Sequence, residues 1–149
     1  MANFGQDKQV QASYFGLEVD GINLGFFTAC SGLSSEVEVA TQKGRTPKGA
    51  AIETKQPGRQ SFTEVVLKRG VTADLELNKW FDETVDAGEE VKYKSASIVC
   101  MSRDMKTEIA RFNLEDAFPS KLSMSDLDTG SSEAMVEEMT IRHHNLIWS

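Results

Sequence analysis

Apolar and polar positions along this chain mostly alternate with the period-two pattern of strands. Over residues 14–20, Phe15, Leu17 and Val19 alternate with Gly16, Glu18 and Asp20, which predicts a half-buried strand. Asp20-Gly21 is a hairpin turn signal, after which Ile22, Leu24 and Phe26 resume the apolar face. Residues 29–35 are small and polar and predict a bend. Val37 and Val39, between Glu36 and Glu38, predict another short strand. Pro57-Gly58 is turn chemistry, because Pro fixes φ and Gly tolerates φ > 0; residues 62–68 then read as a strand that Gly70 breaks. Residues 91–101 alternate weakly, and Asp104 is expected in a turn. Ala110, Phe112 and Leu114 then mark a clear strand over 108–114. Phe118-Pro119 is expected to end ladder pairing, since Pro has no N–H to donate. Residues 133–148 read as a final long strand, with Met139, Ile141 and His143 on one face.

A single stretch follows the helical period. Leu77, Trp80, Phe81, Thr84 and Val85 form one stripe, with Thr72 as the expected N-cap and Asp74 and Glu76 near the positive end of the helix dipole. Ala87-Gly88 supplies the stop. This predicts a helix over about 73–87 whose Leu77, Trp80, Phe81 and Val85 face the core. The fold class is therefore mainly β: a two-sheet sandwich or partly open barrel with one flanking helix. With no internal repeat, low-complexity tract or linker, the 149 residues are expected to form one domain.

Residues 42–60 differ from the rest. Glycines at 44, 49 and 58 and prolines at 47 and 57 predict a long loop or an extended, projecting hairpin. It carries Lys43, Arg45, Lys48, Lys55 and Arg59 against Glu53 alone, whereas residues 115–138 hold Glu115, Asp116, Asp126, Asp128, Glu133, Glu137 and Glu138 against Lys121 alone. The basic set, with Ile52 beside it, is a candidate interface, and Glu115, Asp116, Asp126, Asp128 and Glu133 are its candidate acidic counterpart; the alternative is a solvated appendage.

Sixteen basic and 23 acidic side chains give a net charge of −7, which argues against specific nucleic-acid binding, a function that needs clustered positive charge. Cys30 and Cys100 match no metal spacing and read as reduced thiols. The first residues lack the apolar core of a secretion signal, and no apolar run is long enough to span a bilayer, so synthesis and assembly in the cytoplasm are expected. His143-His144 are adjacent, hence on opposite sides of a regular strand and unable to chelate one metal. No nucleophile-elbow, zincin or phosphate-loop pattern occurs. Neither catalysis nor a cofactor is expected. About seven strands and one helix leave sheet edges that a monomer would ordinarily protect, which points to a subunit completed by its neighbours.

The residues that carry these features resemble the myophage-type tail tube family, which also supplies the inner tubes of bacterial contractile injection systems. The resemblance opens with Tyr14-Phe-Gly-Leu-Glu-Val-Asp-Gly-Ile22 and Phe27-Thr-Ala-Cys-Ser-Gly-Leu-Ser-Ser35. It is most specific from Lys55 to Trp80, through Pro57-Gly58-Arg59 and Leu67-Lys68-Arg69-Gly70. Ala110-Arg-Phe-Asn-Leu-Glu-Asp-Ala-Phe-Pro-Ser-Lys121 and Glu137-Glu-Met-Thr-Ile-Arg-His143 complete it. It implies hexameric rings whose sheets join into one barrel around a lumen and stack helically into a tube inside a contractile sheath. Sheath, baseplate, spike, tube-initiator and cap proteins are the partners it implies, with cargo or DNA in the lumen and delivery outside the cell on contraction. A conduit must not hold its passenger, so a lumen wall of small polar and charged side chains is expected. A baseplate-proximal tube initiator of the same fold is one alternative; a monomeric binding module or small enzyme is another.

Overall fold

The computed structural model of the chain describes residues 12–72, 74–125, 130 and 135–149, so the expected N-terminal arm and the acids Asp126, Asp128 and Glu133 lie outside the described residues. β1 (Tyr14–Val19) and β2 (Ile22–Phe27) pair antiparallel across Asp20-Gly21, whose φ values of 50° and 81° are those of a turn with both central residues left-handed. β3 (Ala29–Ser31) pairs with β6 (Val65–Gly70), while β4 (Ser35–Arg45) and β5 (Ala51–Phe62) pair with each other. The helix α1 (Glu76–Asp86), β7 (Lys94–Met101), β8 (Glu108–Met124), β9 (Val136–Arg142) and β10 (Asn145–Trp148) follow.

One antiparallel path runs β2-β1-β7-β8-β9-β6-β3, with β10 also on β8. The long β8 joins its two halves: residues 108–117 pair with β7, and residues 118–124 pair with β9. The halves close over one core, in which Leu17, Phe27, Ile98 and Leu114 meet Val65, Leu67, Met139 and Ile141. α1 lies against β8 and beside the β1–β2 turn. No helix among the described residues is long and apolar enough to cross a membrane.

Several local expectations are corrected. Pro119 does not end β8; it pairs with Ile141 and is fully buried. β7 stops pairing at Ala117, so only one edge of β8 needs donors there, and a β-bulge between Pro119 and Lys121 takes up the irregularity. The final strand is two strands, yet Arg142 opposite Phe118 and Asn145 opposite Glu115 keep one register along β8. The break is local: Asp116 has φ 52°, and His144 N donates to the Glu115 carbonyl at 2.9 Å.

The helix starts at Glu76, not at residue 73, and Thr72 does not cap it. Thr72 Oγ1 instead accepts from Asp74 N, and Asp74 Oδ1 from Glu76 N, two side-chain turns that bring the chain to the helix. Leu77 and Trp80 are buried and Phe81 is half-buried, but Val85 is 60% exposed. Only the first turns of α1 lie over the sandwich.

A candidate assembly surface

Apart from Phe62 at its root, the β4–β5 pair is exposed along its whole length and joins neither half of the main sheet. Of the two forms open to residues 42–60, it is the extended hairpin. Its turn lies at residues 46–50: Gly49 N donates to the Thr46 carbonyl and Thr46 N to the Ala50 carbonyl, both at 2.8 Å, with Gly49 at φ 86°. Pro57-Gly58 is thus not the turn. Val37 opposes Gln60 while Val39 opposes Pro57, so Gly58 and Arg59 share one partner, Glu38, in a β-bulge. Pro is tolerated because each strand of a free-standing pair has an edge that needs no donor.

At the root of the arm the Ser34 hydroxyl donates to Thr63 Oγ1 at 2.8 Å, and the Phe62 and His143 rings lie 5.4 Å apart. Gly32, at φ 88°, runs against the next segment so closely that a Cβ would sit 1.8 Å from the Glu64 carbonyl oxygen.

Register divides the candidate interface residues between two faces, because neighbours along a strand point to opposite sides. Lys43 opposes Glu53, Thr41 opposes Lys55, and Arg45 opposes Ala51, so Lys43, Arg45 and Lys55 share a face with Val37, Val39 and Pro57. Ile52 opposes Gly44 on the other face, with Gln42, Thr54, Ala40 and Gln56. Lys48 lies in the turn and Arg59 at the bulge. Among the described residues no ion pair joins the arm's basic residues to Glu115 or Asp116. Both acids are exposed; Glu115 accepts from Asn145 Nδ2 at 3.1 Å, and Asp116 lies 3.3 Å from His144 Nδ1.

The main sheet adds open ladders. β2 and β3 end its path, and β10 covers only a short stretch of β8. Several large apolar side chains project outward, among them Val39, Ile22 and Trp148 at 63%, 65% and 75% exposure. That distribution suits a surface to be covered rather than a finished exterior.

The interior holds groups that periodicity does not single out. Arg69 and Glu137, both nearly inaccessible, oppose each other on β6 and β9 with Nε donating to Oε2 at 3.0 Å. The guanidinium also lies 5.1 Å over the Phe27 ring. Gly25 makes room for it, since a Cβ there would come within 2.3 Å of Arg69 Nη1. The available signal was Arg69 sharing the inward parity of Val65 and Leu67.

Catalytic chemistry has little to stand on among the described residues. Cys30 and Cys100 are free and line an apolar cleft of about 350 Å³ with Phe15, Leu33, Phe112 and Trp148. Burial, with Cys100 beside it, pushes the Cys30 thiol up to about 12, and burial raises Cys100 as well, so neither is an activated nucleophile. Desolvation holds His143 below its ordinary value, against a hydrogen bond between Nδ1 and the Asn145 carbonyl at 3.1 Å. No cluster of three potential metal ligands occurs among the described residues.

Fold and surface together define a class: a β subunit with open sheet edges and a two-stranded arm that, among the described residues, packs on neither half of the main sheet. Within that class the chain belongs to the T4-like virus tail tube protein gp19 family, whose profile matches residues 11–147. It is a tail tube protein, and the proteins of this family and fold are structural. Its fold is similar to a chain of an extracellular contractile injection system, the PVC sheath-tube complex in the extended state, with a TM-score of 0.75 and 22% identity over 100% of this chain and 99% of that one. It is also similar to a chain of the anti-feeding prophage tube-terminating cap, with a TM-score of 0.71 and 22% identity over 100% and 99%. Hcp1 from Flavobacterium johnsoniae is more distant, with a TM-score of 0.53 and 15% identity over 91% and 94%. Among curated protein sequences none matches.

Proposed function

We propose that this chain builds the inner tube of a contractile injection system or phage tail, as hexameric rings stacked within a sheath, and that the tube is driven out of the cell on contraction as a conduit for cargo or DNA. Its partners are then further copies of itself, a sheath protein, a baseplate with its spike and initiator, and a terminating cap. The observation that carries this reading is the family match over nearly the whole chain, on a fold whose arm and sheet edges are left open. Negative-stain microscopy of the purified protein tests it: rings or tubes are expected, and particles of one chain's mass at every concentration would overturn it.

The arm is the natural inter-ring contact. Lys43, Arg45, Lys48, Lys55 and Arg59 dock on an acidic surface of the adjacent ring that includes Glu115 and Asp116, while Ile52 contributes apolar area from the opposite face of the arm. Asp126, Asp128 and Glu133, the other acids proposed as counterpart, lie outside the described residues. A basic projection and an acidic surface on one subunit form a head-to-tail contact that does not close and so propagates.

A further inference from the structure

The two faces of the arm differ chemically, and a ring of such arms would have to treat them differently. One face carries Val37 and Val39, 44% and 63% exposed, together with the basic Lys43, Arg45 and Lys55 against Glu53 alone. The other carries Glu36, Glu38, Gln42, Thr54 and Gln56, with Ala40 and Gly44 between them, and Ile52 (46% exposed) as its one large apolar side chain. Two strands alone are marginal in water and need a covering on at least one face. A face with branched apolar side chains and spare positive charge suits burial on a surface with surplus acid. A chain of net charge −7, with Glu115 and Asp116 exposed, offers such a surface on a second copy of itself. A face of amides, hydroxyls and carboxylates loses little by staying in water, and gives a passing macromolecule few apolar holds.

We propose that assembly sorts the arm by face: the Val37, Val39, Lys43 and Lys55 face is buried on a second copy of this chain, and the Glu38, Gln42, Thr54 and Gln56 stretch of the other face lines the lumen, while Ile52, beside the turn, stays in the contact with the adjacent ring. This rests on the tube reading and deepens it by naming the surface that a passenger meets. That wall is wet and, with Glu36 and Glu38 against Arg59 at the bulge, weakly acidic. It therefore suits an unfolded or compact acidic or neutral cargo better than a strongly basic one, which would be retained by the carboxylates.

Cysteine accessibility tests the assignment, with the parent as control, because its own thiols are shielded and held largely protonated. Val39→Cys and Thr54→Cys are made separately and labelled, as tubes and as unassembled protein, with a small maleimide and with a maleimide on a protein-sized polymer. Val39→Cys is expected to react about 10-fold or more slowly once assembled, whereas Thr54→Cys keeps its rate with the small reagent and loses it with the large one. Rapid labelling of Val39→Cys in tubes, protection of Thr54→Cys from the small reagent, or its full labelling by the large one would each overturn the assignment. Thr41→Cys and Gln42→Cys, on the corresponding faces, replace either variant if it does not assemble. If the parent forms neither rings nor tubes, the tube reading itself fails; if it forms them and the labelling pattern is reversed, only the assignment of faces does.

Discussion

At the scale of single residues, the points of least tolerance are places where the backbone itself is crowded. Gly32 has both a left-handed φ and no room for a side chain, so neither a rotamer change nor a small shift accommodates Ala. Gly32→Ala is expected to leave the chain misfolded and insoluble; recovery of soluble protein that assembles like the parent would refute this account of the arm's root. Arg69 and Glu137 form a second such point. Removing one partner strands the other charge where water does not reach, so Glu137→Ala should lose roughly 3–5 kcal/mol in urea denaturation followed by tryptophan fluorescence. The double variant Arg69→Met with Glu137→Leu should lose less than either single truncation, because no charge is left unpaired. A double variant worse than Glu137→Ala would assign the pair a role other than mutual neutralisation. These constraints were scarcely visible in the sequence. That Gly25 faces a guanidinium and Gly32 a carbonyl depends on segments about 30 residues or more away in the chain.

At the scale of elements, the helix shows how far periodicity reaches. Its stripe was legible, but the sandwich covers only Leu77 and Trp80 fully, and Val85 extends past it into solvent. Trp80→Ala should therefore lose about 3–5 kcal/mol, as large core truncations do, leaving little soluble protein. Val85→Ala should fall within the narrow range of exposed substitutions. Parent-like stability of Trp80→Ala would mean that the helix is held by something other than this packing. The arm is the opposite case, an element with no core at all. Each exposed pair contributes about 0–1 kcal/mol, but repetition around a ring multiplies a weak contact, and salt screens it more than ladder hydrogen bonds or apolar burial. Lys43→Glu with Arg45→Glu and Lys48→Glu is expected to give free rings that no longer stack, by microscopy and sedimentation, with high salt reproducing the effect in the parent. Normal tubes from that variant would return the arm's charges to the status of a solvated face.

At the scale of the whole molecule, sequence determined the quantities that are local. Period-two alternation set most strand faces, one stripe of period 3.6 set the helix, and Asp20-Gly21 set the first turn, because each depends on residues a few positions apart. In β2 a register shift at Leu24 instead leaves Ile22 outside and puts Phe27, not Phe26, in the core. Sequence also indicated the class, and with it the shortage of partners at the sheet edges, since one helix cannot cover the roughly seven strands expected, still less the ten found among the described residues. Tertiary structure decided where long-range pairing overrides local chemistry. Pro57 stayed paired within a strand, beside a bulge at Gly58 and Arg59, because the true turn, tied by Thr46 and opened by Gly49, set a register in which residues 57–59 oppose β4. Pro119 stayed within a strand because β7 ends its pairing at Ala117 and frees the edge that a proline needs. The division of the arm into two unlike faces came from register as well: Lys43 and Ile52 are both in the basic stretch, but only pairing across the hairpin shows that they point opposite ways. Composition and spacing describe a strand's own alternation, whereas the neighbour it meets, and therefore the surface it presents, is fixed only when distant segments close their hydrogen-bonded ladders.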